Sequence, residues 1–347
     1  MIQEMELELA VSAHKTINDL MKVKPGETLL ITIDSRAVFR VAEAMARAGE
    51  AAGAKTMIAY HSTPPGYGKV GEAKLPDSLG AAIERCDAWI ELNNQWLLYN
   101  TAWENTMFPG TKTRYFFLGG LDVDQLWRNV GAIDIPALRA FMTAVVEMTH
   151  EAKKMRVTTP AGTDVSFENG GRPVTNESDA STPGAHFLLG QIGWAPLEDS
   201  INGDIVYDGS YSGGGAMDLG ILANPIKLVI EKGKIVDVVG KEEAKLVKDW
   251  MASLNDPNMY YMAHICYGFN PGARLCGLCT EDERVWGSTE WGYGYQGPFF
   301  EGNLGEAVTH VDGICLNSSV WLDEVQILDE GKVIEPRLIE LAKPLGK

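Results

Sequence analysis

From residue 4 to about residue 120 the chain switches repeatedly between helical and extended periodicity, and this alternation constrains its fold more than any other feature. Residues 4–23 fit an amphipathic helix. Lys24-Pro25-Gly26 then turns the chain into GETLLITID, a short apolar run of the kind a buried strand needs. An Ala-rich segment, residues 35–52, reads as the next helix and stops at Gly53. KTMIAY, LGAAIERC, DAWIEL and TRYFFLG continue as strand, helix, strand and strand. Strands joined through helices require crossovers, which lay the strands parallel and cover both faces of the sheet. The expectation is an N-terminal parallel-sheet α/β domain over residues 1–150, with a long helix at 134–154 as its connector. A dinucleotide-binding version of that domain is rejected. Its first strand would run into a glycine-rich turn, and this one runs into Asp34-Ser35-Arg36-Ala37.

Past residue 150 the texture changes. RVTTP, TDVSFEN and KLVIEKGKIVDVVG are short alternating runs separated by glycine-rich turns, with one clear helix at 242–253. Residues 226–240 read as a hairpin turned at Lys232-Gly233-Lys234. A chain of 347 residues is long for a single core. The second domain, residues 151–347, is expected to be α+β with a mostly antiparallel sheet. GSYSGGG at 209–215 has the composition of a phosphate cradle but no strand–turn–helix context, so it reads as a loop.

A net charge of −17 disfavours nucleic acid and anionic membranes as partners, because both would be repelled. The opening MIQEMELELA carries acids where an export signal has basic residues, so a cytoplasmic protein is expected. Five cysteines, an odd count in a long chain, fit reduced thiols. Cys276-Gly277-Leu278-Cys279 has redox-motif spacing. It sits between a GFNPGAR turn and an acidic stretch, with no second such pair, and reads as structural thiols.

The chemistry concentrates near the C-terminus, in GEAVTHVDGICL. The apolar neighbours of His310-Val311-Asp312 indicate a strand, on which residues i and i+2 share a face. An imidazole and a carboxylate would therefore stand side by side. His264, in YMAHICYGFNPGA, would complete a set of two histidines and one carboxylate. Such a set leaves coordination positions open and is typical of non-haem Fe(II) oxygenases, although imidazole–carboxylate sites also take Zn²⁺ or Mn²⁺. Further acid/base candidates are Glu177, His186, Glu198 and Glu290, with Tyr293 a possible proton donor. Taken singly, each of these reads more blandly as a core, turn or packing residue.

The segments WAPLEDSINGDIVYDG, ANPIKLVIEKGKIVDVVG, HICYGFNPGARLCG, GSTEWGYG and THVDG, in that order, resemble the thermophilic aminopeptidase family (aminopeptidase T, leucyl aminopeptidase). PGETLLITID resembles that family's N-terminal domain. The resemblance implies an aminopeptidase T-like fold and a homo-oligomer. It also implies a two-metal peptidase site, from which this chain departs. Glu198, His310 and Asp312 match the pattern, whereas His264 stands where a bridging glutamate is expected and Glu290 where a histidine is expected. An imidazole cannot bridge two ions as a glutamate does. The exchanged set is similar to that of the 2,5-dihydroxypyridine 5,6-dioxygenases. That likeness implies Fe(II), O₂ and a small hydroxylated aromatic substrate, with N-formylmaleamic acid the product from 2,5-dihydroxypyridine. The alternative is a divalent-metal aminopeptidase or amidohydrolase.

Overall fold

The computed structural model describes residues 4–108 and 110–347. The chain divides into two compact units. One comprises the chain up to Ile133 together with Glu177–Leu189, and the other comprises Asp134–Asn176 and Gly190–Lys347. This differs from the division at residue 150 read from the sequence. The helix Ile135–Glu151, capped by Asp134 accepting from the Ala137 N–H, belongs to the second unit. There Phe141 packs against Phe269 and Trp286 at ring separations of 5.1 and 5.0 Å. Thirteen residues, 177–189, return to the first unit.

The first unit is built on a five-stranded parallel sheet ordered Lys55–His61, Thr28–Asp34, Ala88–Glu91, Arg114–Phe117 and Gly184–Phe187. The central strands are apolar and buried along nearly their whole length, as a sheet covered on both faces requires. The first helix, Glu6–His14, continues as π-helix over Lys15–Leu20. The next helix starts at Phe39 and not at Ser35, because Asp34 Oδ1 accepts from the N–H groups of Arg36 and Ala37 and holds them in a turn. Gly53, at φ +84°, follows its end as expected. Glu91 ends its strand fully buried and accepts a 2.6 Å hydrogen bond from the Tyr115 hydroxyl. Burial pushes its carboxyl up to about 8 despite that bond.

The second unit contains two sheets with antiparallel pairing. The eight-stranded sheet includes the Ile226–Glu231 and Lys234–Gly240 hairpin, turned through Lys232 and Gly233 as read from the sequence. A Cβ on Gly233 would lie 2.0 Å from the Glu198 carbonyl oxygen, so the turn tolerates no side chain there. The six-stranded sheet runs Gly220–Ile221, Ser210–Ser212, His310–Cys315, Thr289–Gly294, Met262–Gly268 and Gln191–Trp194. The third, fourth and fifth of these strands carry the candidate site. The architecture is α/β, a parallel sheet followed by antiparallel ones. Among the described residues no single helix is long and apolar enough to cross a membrane.

Candidate metal centre

The register of the six-stranded sheet puts the three expected ligands on one face. Gly294 lies opposite His310 and Gly292 opposite Asp312, and on its other side Gly292 is opposite His264. Two glycines at the centre of the face leave room for the rings. A Cβ on Gly292 would lie 2.7 Å from His264 Cε1 and Nε2 and 3.0 Å from His310 Cε1. The cleared space is filled by donors. His310 Nε2 lies 2.9 Å from Asp312 Oδ1 and 3.1 Å from His264 Nε2, and His264 Nε2 lies 3.6 Å from Asp312 Oδ1.

These spacings fit a metal ion. Donors bound at about 2.1 Å are separated by about 3.0 Å at right angles and about 3.4 Å at tetrahedral angles. The observed triangle brackets both values, so it suits a small divalent cation without selecting one. The three side chains are buried or nearly so, and together they could hold an ion.

The surroundings fix which nitrogens face the centre. His310 Nδ1 donates to the Tyr295 carbonyl at 2.6 Å, which leaves Nε2 to the site. Burial, then the neighbouring His310, drives the His264 imidazole down to about 3, so it stays neutral. Burial alone would lower His310, but the Asp312 charge and hydrogen bond outweigh it and the net shift is upward. Burial likewise works to raise Asp312, and the two histidines overcome it and hold the carboxyl at about 2. Asp312 is thus an anionic donor between two imidazoles. Phe300 lies against His264 at a ring separation of 4.7 Å.

Further donors adjoin the triangle. Glu290 is completely buried on the same face, with Oε2 3.4 Å from His264 Nδ1. Burial, then the charges of Asp312 and Glu283, pushes its carboxyl well above the usual range. Cys279, the second cysteine of the C-x-x-C motif, lies 3.9 Å from Asp312 Oδ2 and donates to Glu283 at 2.9 Å. Cys276, the first cysteine of the motif, is exposed, and the two form no disulfide. The residues whose place at the site was not foreseen are Cys279 and Glu283. Gly292 and Phe300 bound a stretch whose glycines and aromatics suit the mouth of a site for a flat ligand.

The other candidates have partners of their own. Tyr293 is on the opposite face of its strand, registered against Val311, and its hydroxyl meets that of Tyr211 at 2.5 Å. It cannot donate to a group on the histidine face, which corrects that expectation. Glu198 is taken by Arg172, with two contacts of 2.8 Å, and by the Asn303 N–H at 2.7 Å. Burial works to raise its carboxyl, but Arg172 and the Asn303 N–H outweigh this and hold it below the usual range. It is a structural ion pair. Glu177 and His186 belong to the first unit. Glu177 accepts from the Phe187 N–H at 2.9 Å, and His186 Nε2 lies 2.8 Å from the Thr182 carbonyl oxygen.

Fold and site together define an α/β protein with a buried centre of two histidines and one carboxylate, able to hold a divalent cation on an antiparallel sheet. The family model for 2,5-dihydroxypyridine 5,6-dioxygenase (NicX) matches residues 10–335, and the chain belongs to that family. The 2,5-dihydroxypyridine 5,6-dioxygenase of Pseudomonas putida KT2440 is 28% identical over 214 residues, covering 56% of this chain and 57% of that protein. The match therefore spans little more than half of the relative's length. The solved structure of 2,5-dihydroxypyridine dioxygenase from Pseudomonas putida KT2440 superposes with a TM-score of 0.78 at 21% identity, over 95% of this chain and 98% of that one. AmpT from Thermus thermophilus superposes with a TM-score of 0.68 at 13% identity, over 95% and 100%. At those identities the structural likenesses speak to the fold, which is AmpT-like as expected.

Proposed function

We propose that this chain is a non-haem Fe(II) dioxygenase that opens a hydroxylated N-heteroaromatic ring, with 2,5-dihydroxypyridine as substrate and N-formylmaleamic acid as product. The observation that carries the reading is the triangle of His264, His310 and Asp312, whose donor spacings suit a small divalent cation. Family membership supplies the reaction class. Fe(II) held by these three residues would supply open coordination positions for the substrate's ring oxygen and for O₂. The balance closes without a reductant, because ring plus one O₂ equals the product in atoms and electrons.

The chain's own contributions follow from the geometry. With a cation held by both Nε2 atoms the imidazoles would be neutral, and the one anionic carboxylate would leave a divalent cation partly uncompensated, which favours an anionic ring oxygen as the next ligand. The Tyr295 carbonyl keeps the His310 ring in one tautomer and orientation. Phe300, against the His264 ring, is an apolar surface that excludes water and suits a flat ligand.

Oxygen uptake by the anaerobically Fe(II)-reconstituted protein tests the reading, with an aminoacyl-nitroanilide assayed in parallel. The expected result is one O₂ consumed per ring lost and no amine released. Amine release under Zn²⁺, Mn²⁺ or Co²⁺ without O₂ uptake would make the chain a peptidase.

A further inference from the structure

We propose that Glu290 is a positioning carboxylate for His264, gripping the imidazole through Nδ1 so that Nε2 is held towards His310 and Asp312. This rests on the metal-centre reading above and changes the role expected for Glu290 from acid/base to orientation. A neutral imidazole carries one N–H. For Nε2 to offer its lone pair to a cation, Nδ1 must carry the hydrogen and needs an acceptor. His310 has such an acceptor in the Tyr295 carbonyl at 2.6 Å. The polar neighbours of His264 Nδ1 are Cys266 Sγ at 3.8 Å and Glu290 Oε2 at 3.4 Å. A thiol is a weak acceptor, so the carboxylate, 3.4 Å away, is the better acceptor within reach of Nδ1–H.

The register explains how Glu290 comes to be there. It lies opposite Cys266 while Gly292 lies opposite His264, so its side chain stands one step along the same face. It reaches His264 at the nitrogen that does not face His310. A second observation is independent of this placement. Glu290 is completely buried, and neither carboxylate oxygen is in full hydrogen-bond geometry with a partner; His264 Nδ1, the Cys266 thiol and the Asp312 carboxylate are the polar groups beside it. A buried carboxylate in that condition is costly to keep. The fold gives it no well-formed hydrogen bond that would offset the cost, and it faces the His264 imidazole.

The test compares wild type, Glu290→Gln and Glu290→Leu in the 347-residue chain by three readouts. These are Zn²⁺ affinity by chelator competition, the ring ¹⁵N shifts of His264 in the Zn²⁺-loaded protein, and the melting temperature of the metal-free protein. Glu290→Leu is expected to weaken Zn²⁺ binding by about 10- to 100-fold and to shift the His264 nitrogens. Glu290→Gln, whose amide oxygen still accepts from Nδ1–H, is expected to stay within about threefold of wild type. Metal-free Glu290→Leu should melt no lower than wild type, because a similar-sized apolar side chain replaces a buried carboxyl without a well-formed hydrogen bond. A purely structural glutamate gives the opposite pattern, a lower melting temperature with metal affinity intact, and that result overturns the proposal. So does a Glu290→Gln variant as weak as Glu290→Leu. Failure of Glu290→Leu to fold is likewise the structural outcome, and Glu290→Gln then still reports on affinity and ring shifts. Wild type that holds no Zn²⁺ would instead overturn the metal-centre reading itself.

Discussion

Gly292→Ala is the sharpest perturbation of the centre, because it adds one methyl group at the point where both imidazoles converge. Gly292 is in a regular strand and does not need a left-handed backbone, so alanine brings no conformational strain of its own. The added carbon would lie 2.7 Å from His264 Cε1 and Nε2 and 3.0 Å from His310 Cε1. Ordinary contacts of this kind sit at about 3.5–4.0 Å, so the His264 ring must retreat by roughly 1 Å. Metal–ligand bonds tolerate about 0.2 Å. Relief at the ring therefore removes His264 as a donor, while the overpacking itself costs about 1–3 kcal/mol of stability. The expected outcome is a folded protein whose metal affinity falls by at least the roughly 10- to 100-fold typical of disturbing the outer shell. Chelator competition measures the affinity, and circular dichroism with thermal melting confirms folding. A folded Gly292→Ala protein with wild-type metal affinity would refute the assignment of this face as the metal centre.

His310→Ala should lose tight metal retention and turnover together while remaining folded; an active, metal-loaded variant would contradict its role as a ligand. Tyr293→Phe removes the contact with Tyr211 on the other face, so it should cost about 1 kcal/mol of stability and leave metal affinity and turnover unchanged. Glu91 makes the stability of the first unit pH-dependent. Its folded carboxyl is raised from 4.5 to about 8, so the folded state binds the extra proton between those values. The contribution is fully present below pH 4.5 and is lost as pH rises through about 8, by roughly 3–5 kcal/mol in total. Urea midpoints measured across that window should fall with pH in wild type and flatten in Glu91→Gln.

The parts of this protein written in local periodicity were legible before its structure was known. The apolar run at Thr28–Asp34 and the hairpin at 226–240 fold as their patterns require. His310 and Asp312 share a face because a strand's side chains alternate, and the structure brings His264 to them. Parity could also have excluded Tyr293, since a residue three positions from Glu290 on one strand must point the other way. What escaped depends on pairing between distant segments. Residues 184–187 form the fifth strand of the first sheet by lying beside Arg114–Phe117, and nothing within GAHF announces that partner. Glu198 looked like a free carboxylate because Arg172 and Asn303, which occupy it, are remote in sequence. The importance of Gly292 depends on two rings arriving from neighbouring strands.

The most direct test of the central claim is turnover of 2,5-dihydroxypyridine by the Fe(II)-loaded protein under isotopically heavy oxygen gas, followed by mass spectrometry of the product. Ring cleavage by a dioxygenase places both heavy atoms in the N-formylmaleamic acid. A product whose new oxygen comes from water, or a ring left intact while O₂ is not consumed, would contradict it.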